Sequence, residues 1–509
     1  MFLINRKEAV KNKQALASSD IKIGFDLKSL IKELKKEDLG LAGPIFDLKI
    51  AGWLLDPDQK DYSPEALSRR FLRRWAPESP ELFSSLFDFL DKKIKEFELV
   101  KVFEEIEMPL VKVLAGMEER GIRVDKSVLT GLSRELAAEI KNLEEKIYKS
   151  AGSVFNLNSP KQLAEVLFEK LKIGQGPAPG QARYGASKKR STEAQYLESL
   201  REKHPIVGLV LGYRELFKIK SGFVDPIIDY LGSDNRLRAT FNQVGTATGR
   251  LSSEKPNVQN IPIGTAWASK LRMAFEAAPG FSLAAFDYSQ IELRILASVV
   301  KDKKLKKAFF DDQDIHKLTA GNVFNVNLDK VTPAMRQLGK TLNFGIIYGI
   351  GADAFARTAG LSRGEARDFI DEYFSDFPKV RIWQEEVKEQ ARTLGFVKNL
   401  NGRRRLFLEM ASPASRYQHE EERAAINMPI QSLAADIIKM AMIKTFSLGD
   451  GVNLLLSIHD ELLFEIKDDI LNKTADLIKK TMEGVFKLDV PLKVDVKIGK
   501  NWGELIPHP

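Results

Sequence analysis

Cysteine is absent from this chain of 509 residues, so disulfides and thiolate metal sites are excluded. Histidine is scarce as well. The five are scattered, with no HExxH pair, which argues against a zinc site. No apolar run approaches the ~18 residues of a membrane-crossing helix. The opening MFLINRKEAVKNKQ has neither an apolar signal core nor a cleavage site, so a cytoplasmic location is expected. What is present is ordinary for a globular protein, with 44% hydrophobic and 29% charged residues. The length allows three or more domains. Lys and Arg number 78 against 70 Asp and Glu, a net charge of +8 that suits a polyanionic partner without proving one.

Chemistry concentrates in three stretches. In FDYSQIELR, the apolar run Phe281 to Phe286 reads as a buried strand, which leaves Asp287 at its end. In VNLLLSIHDELLFEIKD, two apolar runs flank His459-Asp460-Glu461, a β-hairpin pattern with Asp460 at the turn. Asp287 and Asp460 on adjacent strands suit two divalent cations roughly 3.5–4 Å apart, the arrangement used in phosphoryl transfer. Two ordinary turn carboxylates would read the same way. In MRQLGKTLNFGIIYGIG, Arg336, Lys340, Phe344 and Tyr348 step by four along one helical face. Two cations followed by two aromatics suit a triphosphate and a base, against the alternative of a solvated basic stripe. Thr332 and Pro333 read as this helix's cap and first residue. Gly339, Gly345 and Gly349 are poor helix formers and point to a close approach.

These stretches closely resemble the motifs of the A family of DNA polymerases, of the bacterial DNA polymerase I type. The resemblance extends through TATGRLSS, PNVQNIP, QDIHKLTA, NGRRR and ERAAINMPIQSLAADIIKMAM, and covers residues ~100 to 509. It implies an α+β, multidomain right-hand fold with palm, fingers and thumb. The implied boundaries are a thumb over 101–235, palm over 236–304 and 423–509, and fingers over 305–422. It implies primer-template DNA and deoxynucleoside triphosphates as partners, a monomer near the nucleoid, and two Mg²⁺ ions, replaceable by Mn²⁺. Asp287, Asp460 and the Tyr288 carbonyl would hold the metal, with Glu461 a secondary carboxylate. Arg336 and Lys340 would bind phosphates, Lys340 also acting as proton donor. Gln290, Glu292, His316, Phe344 and Tyr348 would complete the nucleotide site. Glu292 would fill the space of a ribose 2′-hydroxyl. Arg250, Asn257, Gln259, Asn260, Arg423, Asn427, Gln431 and His459 would meet the duplex minor groove, where acceptors recur at every base pair. Lys188, Lys189 and Arg190, in a Gly- and Pro-rich loop, would touch phosphate at the thumb tip. Arg403, Arg404 and Arg405 would hold template phosphate, although charge runs are usually just solvated.

Residues 1–100 resemble the second half of a DnaQ-like, RNase H-like 3′–5′ exonuclease, but the acids are missing. No Asp-x-Glu pair occurs there. Leu30 stands where the resemblance implies an acid, and Ala66 follows Tyr62 four residues on. A truncated remnant without proofreading activity is expected. Two other readings remain. A single-subunit RNA polymerase shares the plan, but Glu292 argues for deoxynucleotides. A catalytically dead DNA-binding scaffold would not need Asp287, Asp460, Arg336 and Lys340 together.

Overall fold

The computed structural model describes residues 2–4, 13–174, 191–411 and 418–508. Phe2–Ile4, Lys22–Gly24 and Ile45–Asp47 form a parallel sheet in that order, as strands linked by crossover helices do. Helix Leu27–Lys36 buries Leu27, Leu30, Ile31 and Leu34, the three-four spacing of an amphipathic helix. With Leu48–Leu55 and Pro80–Glu96 it encloses a core containing Ile23, Phe46, Trp53, Leu86 and Leu90. Asp47 is fully occupied as a cap. Its carboxylate accepts from Lys49 N at 2.9 Å, Ile50 N at 3.2 Å and Leu27 N at 2.7 Å.

This N-terminal core continues into Val111 and Ala115 of helix α1 (Met108–Arg120). Leu110, Val113, Leu114 and Met117 of the same helix belong to the main core of the chain. The two cores therefore share α1. α1, placed by the expected boundaries in the thumb, packs under the central sheet and against α7, described below. Ile122–Val124 then pairs with Arg236–Leu237 and Phe275–Glu276. Between them α2 (Lys126–Ala151) packs on α3 (Pro205–Ile219) as a helical projection. Asp125 caps α2 by accepting from Ser127 N, and Gly152 ends it at φ 65. Lys188, Lys189 and Arg190 lie outside the described residues.

The central sheet contains β1 (Phe281–Tyr288), β2 (Val452–Ile458), β3 (Glu461–Lys467), β4 (Val494–Gly499) and β5 (Ile506–Pro507). Its order is β2-β3-β1-β4-β5, with every neighbour antiparallel. β2 is buried along its whole length, Asn453 and Ser457 included, which explains the three successive leucines Leu454–Leu456 in place of an alternation. Helices α4 (Ile291–Val300), α5 (Ile315–Val323), α6 (Pro333–Ile347) and α7 (Gln418–Phe446) lie between β1 and β2 in the chain; α7 packs on β2, α4 on α6 and α7, and α5 on α6.

The hairpin expected at Asn401-Gly402 is present, joining Phe396–Lys398 to Arg404–Leu406, with Gly402 at φ 97. Its arginines do not form the expected phosphate-holding strip. Arg403 is 2% exposed and ion-paired with Glu107 and with Asp436 at 2.7 Å. Arg404 lies over the Phe97 and Phe396 rings, 4.0 and 4.2 Å from their centroids. Arg405 forks onto Asp58 at 2.7 and 3.0 Å. All three found partners far away in sequence, which a local charge run does not reveal.

Candidate active site

The β2–β3 turn brings Asp460 beside the end of β1. Tyr288 N donates to Asp460 O at 3.1 Å and ties the two segments together. His459 takes a left-handed conformation, φ 51, to complete the turn. Across the sheet Asp287 stands directly opposite Glu461 on β3 and Asp495 on β4. Like charges directly opposite one another repel. Burial, and then Glu461, Asp460 and Asp495, push the Asp287 carboxyl up to about 7. Burial also raises Asp460 and Glu461, against the opposing pull of Arg250 on the first and Arg272 on the second. Trp502 Nε1 donates to Glu461 at 3.3 Å, and the Arg272 guanidinium lies 4.0 Å over the Trp502 ring.

Hard carboxylate oxygens carrying surplus negative charge fit Mg²⁺, which keeps several waters and needs only one or two carboxylates beside substrate phosphates. Among the described residues no three His, Asp or Glu side chains converge to hold a metal by themselves. Asp287 and Asp460, with Glu461 and Asp495 beside Asp287, are the carboxylates this sheet end offers.

Opposite stands α6. Thr332 caps it by accepting from Met335 N, and Pro333 fills the first position, as expected. Gly339 is required by a crossing, because a Cβ there would meet His316 O at 2.4 Å. That contact seats α6 on α5 and brings Arg336 and Lys340 to His316. Arg336 Nε pairs with Asp314 at 2.5 Å, and Lys340 is exposed. Asn343 Oδ1 accepts from Thr319, so its Nδ2 faces His316 Nδ1 at 3.2 Å. An amide nitrogen only donates, so the neutral ring carries its proton on Nε2. Burial, with Arg336 and Lys340 nearby and only Asp314 opposing, lowers His316 to about 4. It is thus a neutral donor. The Phe344 ring lies 5.8 Å from it.

Tyr348 caps α6 one residue past its end, and its hydroxyl donates to Glu292 Oε2 at 2.8 Å. Glu292 is 3% exposed and also ion-paired with Arg250. Burial raises its carboxyl despite Arg250. Arg250, expected at the primer terminus, is thus held on the same carboxylate as Tyr348. Gln290 holds the left-handed turn between β1 and α4, φ 53. Of the expected minor-groove amides, Asn257 accepts from Gln259 N, Gln259 Nε2 donates to Ser457 O at 3.1 Å, and Asn260 is exposed. Arg423, Asn427 and Gln431 do share a face of α7, and Asn427 Oδ1 is buried without a partner. Asp314, Asn343, Asp495 and Trp502 were missed by the sequence reading. Asp495, in the alternating VDVKIG strand, and Asp314, the cap residue of α5, left local signals.

An antiparallel sheet with paired acids at one end, faced by a helix of cations and rings, is the architecture of a right-hand polymerase domain. The chain belongs to DNA polymerase family A, whose model matches residues 126–504. It is 43% identical over 489 residues to the thermostable DNA polymerase I of Thermus aquaticus, covering 94% of this chain and 58% of that one. To DNA polymerase I of Bacillus subtilis it is 38% identical over 509 residues, covering 94% and 57%. The chain thus spans about three fifths of the length of the curated relatives it matches. Among solved structures it resembles the POL domain of Pol1 from M. smegmatis, in complex with DNA primer-template and dNTP. The TM-score is 0.91 at 34% identity, over 98% of this chain and 89% of that one.

Proposed function

We propose that this chain performs template-directed DNA synthesis, adding deoxynucleoside triphosphates to a primer 3′-hydroxyl with release of pyrophosphate. The carrying observation is the juxtaposition of Asp287 and Asp460 at the sheet end, with Glu292, at the start of the helix after β1, bonded to Tyr348 at the end of α6. The same architecture in a Pol1 domain solved with primer-template and dNTP supports the reading.

Asp287, Asp460 and the Tyr288 carbonyl would hold two Mg²⁺ ions, which when bound would supply acidification of the primer hydroxyl and neutralisation of charge on the leaving group. Arg336 exchanges Asp314 for triphosphate oxygens, and Lys340 binds beside it and hands a proton to pyrophosphate. His316 donates Nε2–H to a phosphate oxygen. Phe344 and Tyr348 shape the sugar and base pocket. Glu292, held by Arg250 and Tyr348, closes the space beside C2′. Arg250, Asn257, Gln259, Asn260, Arg423, Asn427, Gln431 and His459 line the duplex minor groove, and Lys188, Lys189 and Arg190 touch its backbone.

Residues 101–235 act as thumb, rooted through α1, with 236–304 and 423–509 as palm and 305–422 as fingers. Residues 1–100 are a non-excising relative of 3′–5′ exonucleases, and the chain works as a cytoplasmic, nucleoid-associated monomer. No helix among the described residues is long and apolar enough to cross a membrane.

Primer extension with and without Mg²⁺, beside excision of a mismatched 3′ end, tests this. Extension only with Mg²⁺ or Mn²⁺ and no excision are expected. Glu292→Ala admits ribonucleotides if the side chain guards the sugar, and unchanged discrimination refutes that role.

A further inference from the structure

The N-terminal unit grips one segment of the site at several points. The antiparallel ribbon Thr240–Asn242 and Ser252–Glu254 carries at its end the loop with Thr246, Gly249 and Arg250. At the ribbon's base, Lys28 donates to Phe241 O and to Glu118, and the same Glu118 carboxylate accepts from Phe241 N at 2.8 Å. Glu118 is 2% exposed, so this contact is shielded from solvent competition. Further along, Val244 packs into the N-terminal core. At the tip, Trp53 Nε1 donates to Thr246 O at 3.1 Å.

From that tip a continuous path of hydrogen bonds leads to the nucleotide site. Thr246 Oγ1 donates to Arg250 O at 2.8 Å, Arg250 pairs with Glu292, and Tyr348 donates to the other Glu292 oxygen. Gly249, at φ 86, lies so close to the Arg403 guanidinium that a Cβ would come within 3.1 Å of it. The Trp53 ring in turn lies 5.4 Å from Arg403 and 5.2 Å from Lys439 Nζ.

We propose that the N-terminal unit is the positioning scaffold of the synthesis site, with Trp53 and Lys28 holding the 240–254 ribbon so that Arg250 keeps Glu292 in place. The inference rests on the proposed function for its kinetic consequences. Trp53 and Lys28 are positioning residues, since neither reaches the site itself. A unit without nuclease acids is then retained for geometry, because a two-stranded ribbon is marginal without something to pack on.

Trp53→Phe keeps an aromatic ring in the pocket beside Arg403 and Lys439 and removes the N–H together with part of the buried indole volume, a packing loss for which Phe87→Leu is the control. The expected result is a threefold to tenfold loss in kcat/KM for the correct deoxynucleotide, the scale of about one hydrogen bond. Discrimination against ribonucleotides should fall with it, because Glu292 loses its anchor. Phe87→Leu loosens the N-terminal core at its Phe46 contact, away from the ribbon, and should leave the discrimination ratio unchanged. In an Arg250→Ala background, Trp53→Phe should add nothing, since the two act in series. Hydrogen exchange on the DNA-free chain should show faster exchange at 246–251 in Trp53→Phe. An unaltered ratio, an undiminished effect without Arg250, an equal effect of Phe87→Leu, or unaltered exchange at 246–251 overturns the proposal. A parent chain that extends no primer refutes the proposed function, and the exchange measurement then decides the positioning separately.

Discussion

Two clusters of charged side chains lie in this molecule, and they are built oppositely. Glu107, Arg403, Asp436 and Lys439 are all buried, two acids against two bases, and the charges cancel. Gln243 and Asn399 fill out the hydrogen bonds, donating to Glu107 and Asp436. Burial opposes the Glu107 charge, yet Lys439 and Arg403 outweigh it and hold its carboxyl below the usual range. At the sheet end, Asp287, Asp460, Glu461 and Asp495 crowd together, and Asp287 is driven up to about 7. The first cluster is complete within the chain. The second is short of positive charge, as a site that takes up cations must be.

The largest effect expected separates the two clusters by activity. Asp287→Asn or Asp460→Asn should lower primer extension by about a thousandfold or more, some 4 kcal/mol of lost transition-state stabilisation. Duplex binding should persist, because backbone phosphate contacts carry most of that affinity. Near-normal turnover in either variant would remove the distinction between the clusters.

The balanced cluster should answer in stability. Arg403→Ala leaves Glu107 and Asp436 short of a buried partner and should cost about 3–5 kcal/mol. Denaturant unfolding measures it, and a loss below about 1 kcal/mol would mean the cluster contributes little.

Phe344→Tyr probes the nucleotide side of the incomplete site. A tyrosine hydroxyl can stand in for a missing 3′-hydroxyl, whereas phenylalanine has no such donor. Rejection of dideoxynucleotides should relax by at least about tenfold, the scale of one unpaired polar group in a closed site. Equal deoxy-to-dideoxy ratios of kcat/KM in both forms would show that Phe344 does not face the sugar.

The smallest effect concerns pH. Asp287 has a raised carboxyl, so between its ordinary range and about 7 the folded chain binds a proton that the unfolded chain releases. Its contribution favours folding at low pH and is lost as pH rises through 7. Asp287→Asn should therefore have the higher Tm at pH 8, with the gap shrinking by pH 5. Mg²⁺ at pH 8 should raise the Tm of the parent more than that of the variant. A gap independent of pH would mean Asp287 is not strained.

The site's skeleton was legible in the sequence because its signals are local. Strand-end acids, a four-residue cation step and a Thr-Pro helix start depend only on neighbours in the chain, and Asp287, Asp460, Arg336 and Thr332 stand as those patterns imply. Arg403 was misread because its partners, Glu107 and Asp436, are distant in sequence and its burial is set by tertiary packing. The close approach foreseen from Gly339 is real, but it is to His316 on α5, which local spacing could not identify.

By itself the sequence determined where the strand-end acids, the Thr-Pro helix start and the Asn401-Gly402 turn fall, since periodicity, caps and turn residues act over a few positions. Tertiary structure alone decided which charges are cancelled and which are left over. Burial and long-range pairing convert the arginine of NGRRR into an internal ion pair and join Trp53 to the loop of Arg250. Four acids are left at the sheet end without enough cations, because electrostatic balance depends on distances through space, and these exist only once the chain is folded.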